Sequence, residues 1–573
     1  QISDSATKLN SLNRRMFILA TAKIIILGGI VSRLFFLQVK ENKKYLTLSD
    51  KNRIREWKLP PIRGEFQDYF GNTIAGNFEA YQLHIIPEEV EDFRYVIYRV
   101  KELLELSDKQ FKKIIKKKNE IKPWETLIVA DNLSWEKFSK INNHLYDLNG
   151  VKPVISISRD YPYKENFTHV LGYVSQANEN DLLSNENIKE RFVPGLKVGK
   201  TGLEKSFEKK LIGSNSVERY EVNAYGRRIS QLAFQKGDKG ETIKLTIDTK
   251  IQELTNELLK EKSGSICVMD IYTGAIIAMH SSPSFDPNSF VFGISQDEWQ
   301  LIRNNPMKPL VNKSLSGNYS PGSTIKPFTE MADLESGLYQ SDSPIETSPG
   351  YFWVDNKLIQ DPINLDTITL AEAIQKSSQV AIAKVALELP RDAVFDVLQR
   401  SGLGDYVGTG LPGEVVGLFS NVGAQSRVSR TAMAYGYGFT VTPLQLASAY
   451  VTLAGYGNRL PLSILKQDRK PEPEPVFDAG DARAVIAMME RVTQQGGTAT
   501  NADIDDYRVA GKTGTARVLE NGAYNDQRHV AWFAGLAPVS DPRIVMVVLV
   551  NEPDTDRASG GKVAAPVLSL IHI

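Results

Sequence analysis

The stretch MFILATAKIIILGGIVSRLFFLQV, residues 16–39, constrains this chain more than any other. It is about as long as a bilayer-spanning helix needs to be. A chain crossing hydrocarbon must satisfy every backbone N–H and C=O internally, so one such segment can cross only as a helix. Lys23 and Arg33 interrupt the run. Arg33 stands close enough to one end to snorkel; Lys23 is harder to accommodate. No small-x-small cleavage site follows, so the segment reads as an uncleaved anchor, with a soluble amphipathic helix as the alternative. Arg14 and Arg15 favour a cytoplasmic N-terminus, although VKENKKY on the other side is also basic.

A length of 573 residues sets a prior of two or three domains. With 68 basic and 68 acidic residues, nothing in the charge suggests nucleic acid. The single cysteine, Cys267, excludes an internal disulfide framework and reads as a buried small hydrophobe in GSICVMDI. Six histidines, none in ligand-like spacing, argue against a histidine-based metal site, and no metal or cofactor is expected. Residues 40–240 look mixed and extended. KELLELSDKQFKKIIKKKNEI (101–121) has helical periodicity with a basic, solvated face, and VKPVISISRDY reads as a strand. FQKGDKGE (234–241) is a linker candidate. Beyond it TIKLTID and GSICVMDIYTGAIIAMH read as strands, with TKIQELTNELLKEK between them as a helix. Late strands are expected at VAWFAGLAP and RIVMVVLVN, which makes an α+β domain with helices against a mostly antiparallel sheet. No internal repeat is visible.

Chemistry concentrates in three short segments. In SPGSTIKP (320–327), Ser323 and Lys326 stand at i and i+3, neighbours on one helix face behind a Pro-Gly start. The amine then lies near the positive helix end, a poor place for a cation and a good one for a base. Downstream, IQKSSQVAIAK supplies Ser377, Ser378 and Gln379. VAGKTGTARV supplies Lys512, Thr513, Gly514 and Thr515, a strand suited to holding an extended peptide and its carboxylate. Taken singly, a serine near a helix start is a cap and a lysine is a solvated surface group. In this order and spacing they match the three elements of the penicillin-recognising serine enzymes. A second Lys-Thr-Gly, residues 200–202, precedes the serine and leads into a charged helical stretch, so it reads as non-catalytic.

With these residues in view, the chain resembles the class B penicillin-binding proteins, bitopic peptidoglycan D,D-transpeptidases. PPIRGEFQDYFGNTIA is similar to the family's Arg-Gly-x-x-x-Asp-x-x-Gly signature through Arg63, Gly64, Asp68 and Gly71. YPYKENFTHVLGYV, GLEKSFEKKLIG, EVNAYGRR, SSPSFDPNSFV and NKSLSGNYSPGSTIKP carry the resemblance onward. Residues 1 to about 325 resemble penicillin-binding protein 2, the elongation type. From TLAEAIQKSSQVAIAKVAL, through GLGDYVGTGLPGE, AYGYGFTVTPLQLASAY and GGKVAAPV, the chain resembles penicillin-binding protein 3, the division type. Lysine use changes near the same place: residues 1–330 hold 34 Lys and 14 Arg, residues 331–573 hold 7 Lys and 13 Arg. That pattern suits a join of two coding sequences near residues 315–375. The opening Gln1 and the closing LSLIHI lead us to expect natural termini beyond both ends.

The resemblance implies an anchor over residues 1–43, an elongated non-catalytic pedestal over 44–240, and a transpeptidase domain over 241–573. It implies Ser323 as nucleophile, Lys326 as base, Ser377 as proton relay and Lys512 tuning that relay. The N–H groups of Ser323 and Thr515 would form the oxyanion hole. Thr513 and Thr515 would hold the substrate carboxylate, with Ser378, Gln379 and Gly514 completing the binding site. Gln379 departs from the family, which usually carries Asn or Asp there. The implied partners are peptidoglycan stem peptides on lipid-linked glycan strands, β-lactam antibiotics and a SEDS-family glycosyltransferase. The implied location is the bacterial cytoplasmic membrane, with a single pass and the catalytic domain outside the cytoplasm. A penicillin sensor or scaffold, a serine β-lactamase and a D,D-carboxypeptidase are the competing readings. A pedestal of this size speaks against the β-lactamase.

Overall fold

The computed structural model describes residues 3–41, 54–123, 125–222, 228–421, 426–504, 506–520, 522–553 and 559–570. Helix α1, Ser3–Phe35, runs on into a wider turn over Phe36–Lys40. Within it Met16–Lys40 form 25 residues of mean hydropathy 1.9, with none of the most apolar window buried against protein. Ile24, Ile25 and Leu27 are all more than half exposed, which is how a helix built to meet hydrocarbon looks without lipid.

The following region is built on the long strand β3. Strands β1 (Ile54–Leu59), β2 (Phe66–Gln67) and β3 (Thr73–Ile85) precede helices α2 (Phe93–Leu104) and α3 (Asp108–Glu120). Residues 101–121, read from periodicity as one helix, are thus divided. Glu105 is left-handed at φ 59 and ends α2; Ser107 then caps α3 with Gln110 in a reciprocal capping box. The Ser-x-x-Gln signal restarts the helix where periodicity alone runs through. Strand β4 (Leu127–Leu133), helix α4 (Trp135–Asn143) and strand β5 (Val151–Asp160) follow, and β5 matches the expected strand. β3 pairs antiparallel with both β4 and β5. Leu83, Ile85, Ile97, Val100, Leu104 and Ile141 close a core of their own against that sheet.

Short helices α5 (Gly202–Ser206) and α6 (Glu208–Leu211) bring two acids under the sheet. Glu204 bonds both Arg63 and Arg159 at 2.6 Å, and Glu208 reaches Arg63 at 2.7 Å. All four are buried. Burial pulls the Arg63 guanidinium down, yet Glu204 and Glu208 outweigh it and hold it above its usual range. Strands β6 (Ser216–Val222) and β7 (Arg228–Gln235) join β1 in a separate three-stranded ladder. Of the strand expected at TIKLTID, only β8 (Ile243–Lys244) forms, parallel to β2. Asp248 then caps helix α7 (Thr249–Leu258).

The C-terminal half is an α+β unit around a five-stranded antiparallel sheet. Its strands are β9 (Ser263–Asp270), β10 (Ile276–Ser282), β11 (Ala510–Glu520), β12 (Ala523–Ala537) and β13 (Ile544–Asn551), in the order β10-β9-β13-β12-β11. Cys267 is buried in β9. Helix α8 (Lys326–Ser336) packs against α9 (Leu370–Lys376), α10 (Gln379–Glu388), α11 (Ala393–Arg400) and α13 (Ala479–Glu490). The apolar α12 (Pro443–Ala454) lies on the sheet. One continuous core joins Phe66, Tyr161 and Val174 of the first region to Leu245, Ile266 and Phe328 of the second.

Candidate active site

The segment SPGSTIKP forms a tight turn and then a helix. Gly322 takes φ +55 and donates its N–H to Gly436 O at 3.0 Å; residues Gly322–Ile325 make a 3-10 turn that runs into α8. Pro327 falls in the first turn of α8, where its missing N–H costs little. Thr324 ties the turn down: its hydroxyl donates to Pro321 O at 2.8 Å and its carbonyl accepts from Tyr450 at 2.7 Å. Trp532 on β12 donates to Ser320 O at 3.1 Å. Ser323 is left half-exposed at the front of the turn, while Lys326 is 0 % exposed.

The second segment meets that lysine. Ser377 ends α9 in the left-handed conformation at φ 59, and Ser378 caps α10 through Ala381 N at 3.0 Å. A non-glycine residue held there stores strain that the surroundings must enforce. Lys326 Nζ donates to Ser377 O at 2.5 Å, Ser377 Oγ at 3.1 Å and Ser378 O at 3.1 Å. Lys512 Nζ approaches the same Ser377 Oγ at 2.8 Å. Lys326, Ser377 and Lys512 are therefore one cluster. Ser323 stands one turn before Lys326, whose backbone N–H its carbonyl accepts, but its side chain makes no hydrogen bond to the amine; the amine's donors are turned to the Ser377 turn instead.

Two buried amines converging on one hydroxyl cannot both stay charged. Burial lowers Lys326 to about 7, against the opposing pull of Asp361 and Glu330. Burial and the neighbouring Lys326 drive Lys512 well below its ordinary value. With one amine neutral, the Ser377 hydroxyl can donate to it while accepting from the other.

The third segment lies on β11, an edge strand. Thr513, Gly514 and Thr515 stand opposite Phe533, Trp532 and Ala531. Lys512, Thr513 and Gly514 are buried, whereas Thr515 is exposed. A Cβ on Gly514 would sit 2.9 Å from Pro321 O and 3.0 Å from Thr324 Cγ2, so only glycine lets the Ser323 turn lie on the strand. Thr513 Oγ1 shares a hydrogen bond with Thr498 Oγ1 at 2.7 Å, and Thr515 Oγ1 accepts from Gly560 N at 3.1 Å.

Other residues here carried no sequence signal. Asp361 accepts from Ser378 Oγ and Gln379 N at 2.5 Å and from Val380 N at 3.3 Å, fixing the N-terminus of α10. It stands far from the motifs in sequence, in a turn-like QDP. Gln379 is half-buried and its side chain makes no hydrogen bond among the described residues. The earlier Lys-Thr-Gly lies elsewhere: Lys200 pairs with Asp181, and Gly202, at φ +58, lets the backbone cross Gly172.

Residues 264–572 match the family model described as the penicillin binding protein transpeptidase domain, and residues 58–245 match that of the penicillin-binding protein dimerisation domain. The chain is 29% identical over 571 residues to the peptidoglycan D,D-transpeptidase FtsI of Escherichia coli, covering 98% of this chain and 91% of that protein. It is 30% identical over 585 residues to the peptidoglycan D,D-transpeptidase MrdA of Acinetobacter baumannii, covering 96% of this chain and 86% of that one. In fold it is similar to penicillin-binding protein 2 of Helicobacter pylori, solved in complex with MreC, with a TM-score of 0.78, 24% identity, and 90% and 98% of the two chains covered.

Proposed function

From the premise that the chain belongs to the class B penicillin-binding proteins, and is a serine-type peptidoglycan D,D-transpeptidase, we propose the role of each site residue. Ser323 Oγ attacks the carbonyl between the two terminal D-alanines of a stem peptide. Lys326, as the free amine, takes the serine proton. The C–N bond breaks, D-alanine leaves, and its nitrogen receives a proton through Ser377, whose hydroxyl Lys512 holds. The N–H groups of Ser323 and Thr515 bind the oxyanion, each such donor contributing about 3–4 kcal/mol. Thr513 and Thr515 hold the terminal carboxylate along the β11 edge, with Ser378, Gln379 and Gly514 shaping the remainder. An amine from a neighbouring stem peptide then attacks the acyl-enzyme, and a crosslink replaces the ester. A β-lactam presents its strained carbonyl to the same serine.

The observation that carries this reading is the convergence of Lys326 and Lys512 on Ser377 Oγ, with the half-exposed Ser323 one turn before Lys326. We assign the domains as anchor 1–43, pedestal 44–240 and transpeptidase 241–573. The apolar α1 supports a single pass through the bacterial cytoplasmic membrane, catalytic domain outside, where a SEDS-type glycosyltransferase would supply glycan strands for elongation or division. Intact-mass spectrometry with a penicillin tests the nucleophile. One drug-sized addition is expected on the wild type and none on Ser323→Ala; an adduct that survives the substitution overturns the assignment.

A further inference from the structure

Between the first and second motifs the catalytic unit carries a short hairpin, strands Tyr351–Val354 and Lys357–Gln360, whose two sides differ. Opposite residues of an antiparallel pair share a side. Phe352 with Ile359 and Val354 with Lys357 thus form one, Tyr351 with Gln360 and Trp353 with Leu358 the other. The first side is packed: Val354 and Ile359 are buried, and with Phe352 they close a small core against Val380 and Ala383 of α10 and against Tyr435 and Tyr437. The second side faces outward. Trp353 is 61 % exposed and Tyr351 49 %. They stand two residues apart on one strand, so their rings project roughly 7 Å apart along it.

The hairpin is fastened to the second motif. Asp361 N donates to Gly350 O at 2.9 Å and closes the hairpin's base, while the carboxylate of the same residue holds Ser378 Oγ and Gln379 N at 2.5 Å. Behind the hairpin, Tyr437 meets Tyr524 edge-on with ring centres 5.0 Å apart, and its hydroxyl accepts from Arg517 N at 3.3 Å, two residues beyond Thr515 on β11. One packed layer thus runs from the hairpin to the third motif. The outward aromatic side continues the rim of the Ser323 cleft where Ser378 and Gln379 stand.

We propose that Tyr351 and Trp353 are a stacking platform for the glycan strand from which the stem peptide hangs, a run of β-linked N-acetylated aminosugars. The inference rests on the roles proposed above for the Ser323 cleft. A sugar ring has an apolar C–H face and a polar edge. A flat aromatic ring covers the first and loses little freedom in doing so, since only two side-chain torsions are fixed. The second needs donors and acceptors around the rings. Asp355 and Asn356 at the turn, Lys357 beside them and Gln360 at the base supply them, all four exposed. A protein partner is the weaker match. The side is four residues long and two strands wide, on the order of 13 Å by 10 Å. A stable protein interface buries roughly 800 Å² on each partner. Single exposed apolar residues are ordinary, but here two aromatics and Leu358 share one side of a hairpin tied to the cleft. The contact is non-covalent: by holding the sugar, the platform raises the local concentration of its peptide at Ser323.

The test uses glycan strands freed of their stem peptides and labelled with a fluorophore at the reducing end, titrated by fluorescence polarisation with the full chain in detergent. The wild type is expected to bind them, and Trp353→Ala and Tyr351→Ala to bind about five- to tenfold more weakly. Trp353→Phe, which keeps a flat ring, is expected to recover most of that loss. Penicillin carries no sugar, so its reaction with Ser323 reads the cleft by itself. Its acylation rate is expected to match the wild type in all three variants. Strands that do not bind the wild type, or that bind all four proteins alike, overturn the platform and leave the side to a protein partner; normal acylation then shows that the cleft reading still stands. Acylation that falls as far as glycan binding in Trp353→Ala also overturns the platform, because the hairpin would then act through the shape of the cleft. A wild type that penicillin does not label at Ser323 fails the cleft reading itself, and the platform with it.

Discussion

Gln379 shows how a residue can be legible as a position and not as a contact. The motif spacing marked it, and its departure from the usual Asn suggested an amide carried one methylene too far. In the structure the backbone N–H of Gln379 is held by Asp361, while its own amide bonds no group among the described residues. If the extra methylene holds that amide off the substrate, the amide is cheap to lose. Gln379→Ala is therefore expected to leave the penicillin acylation rate within about threefold, whereas Gln379→Asn should raise it. Were the amide a working ligand, its loss from a desolvated cleft would cost about 1–3 kcal/mol, or roughly ten- to a hundredfold. Stopped-flow rates falling in the order Gln, Asn, Ala would mean that the site is built around glutamine. Ser323, Lys326, Ser377 and Lys512 were readable as a set because the chemistry proposed for them needs those side chains in that order. Asp361 was not, because an acid in a turn-like QDP reads as a solvated loop residue until its bonds to Ser378 and Gln379 are known.

At the scale of elements, α10 is the piece whose placement matters most, since its first turn carries the second motif. Its N-terminal N–H groups need acceptors, and Asp361 supplies one carboxylate to two of them and to the Ser378 hydroxyl. Removing that cap by Asp361→Ala is expected to cost about 1–2 kcal/mol of stability and to slow acylation about tenfold or more, because Ser377 and Ser378 lose their fixed frame. Urea unfolding reads the first effect and stopped flow the second; a normal acylation rate in a destabilised variant would show that the frame is held from elsewhere. Element boundaries were less legible than element types. The basic stretch 101–121 hid a capping box inside an unbroken helical period. TIKLTID looked like a full strand, yet only Ile243–Lys244 pair with β2, and Leu245 goes on to bridge Leu465. Tertiary partners thus set where each strand stops.

For the molecule as a whole, the question is what makes pedestal and catalytic unit one body. Continuity of the core from Phe66 to Phe328 is one answer. Asp68 is another, because its carboxylate accepts from Asn72 and, across the boundary, from Thr249 Oγ1 at 2.8 Å on α7. Beneath both sits the network of Arg63, Arg159, Glu204 and Glu208, with Tyr161 donating to Glu204 at 3.1 Å. Burial pushes Glu204 up, but Arg159 and Arg63 hold it below the usual carboxylate range. Such a group stabilises the fold while ionised, so its contribution is present at neutral pH and is lost as acid protonates it. Glu204→Gln keeps the shape and removes the charge. Arg63 then keeps Glu208 while Arg159 loses the carboxylate it pairs with, a loss on the order of 3–5 kcal/mol for breaking a buried pair. The expected result is a clear fall in melting temperature at pH 7 that narrows as the pH drops. The protein that remains folded at low temperature should acylate at the wild-type rate, because the network touches none of the groups around Ser323. A folded Glu204→Gln variant with a slowed Ser323 would instead mean that the pedestal sets the geometry of the site through the shared core, and the two units would have to be treated as one catalytic body.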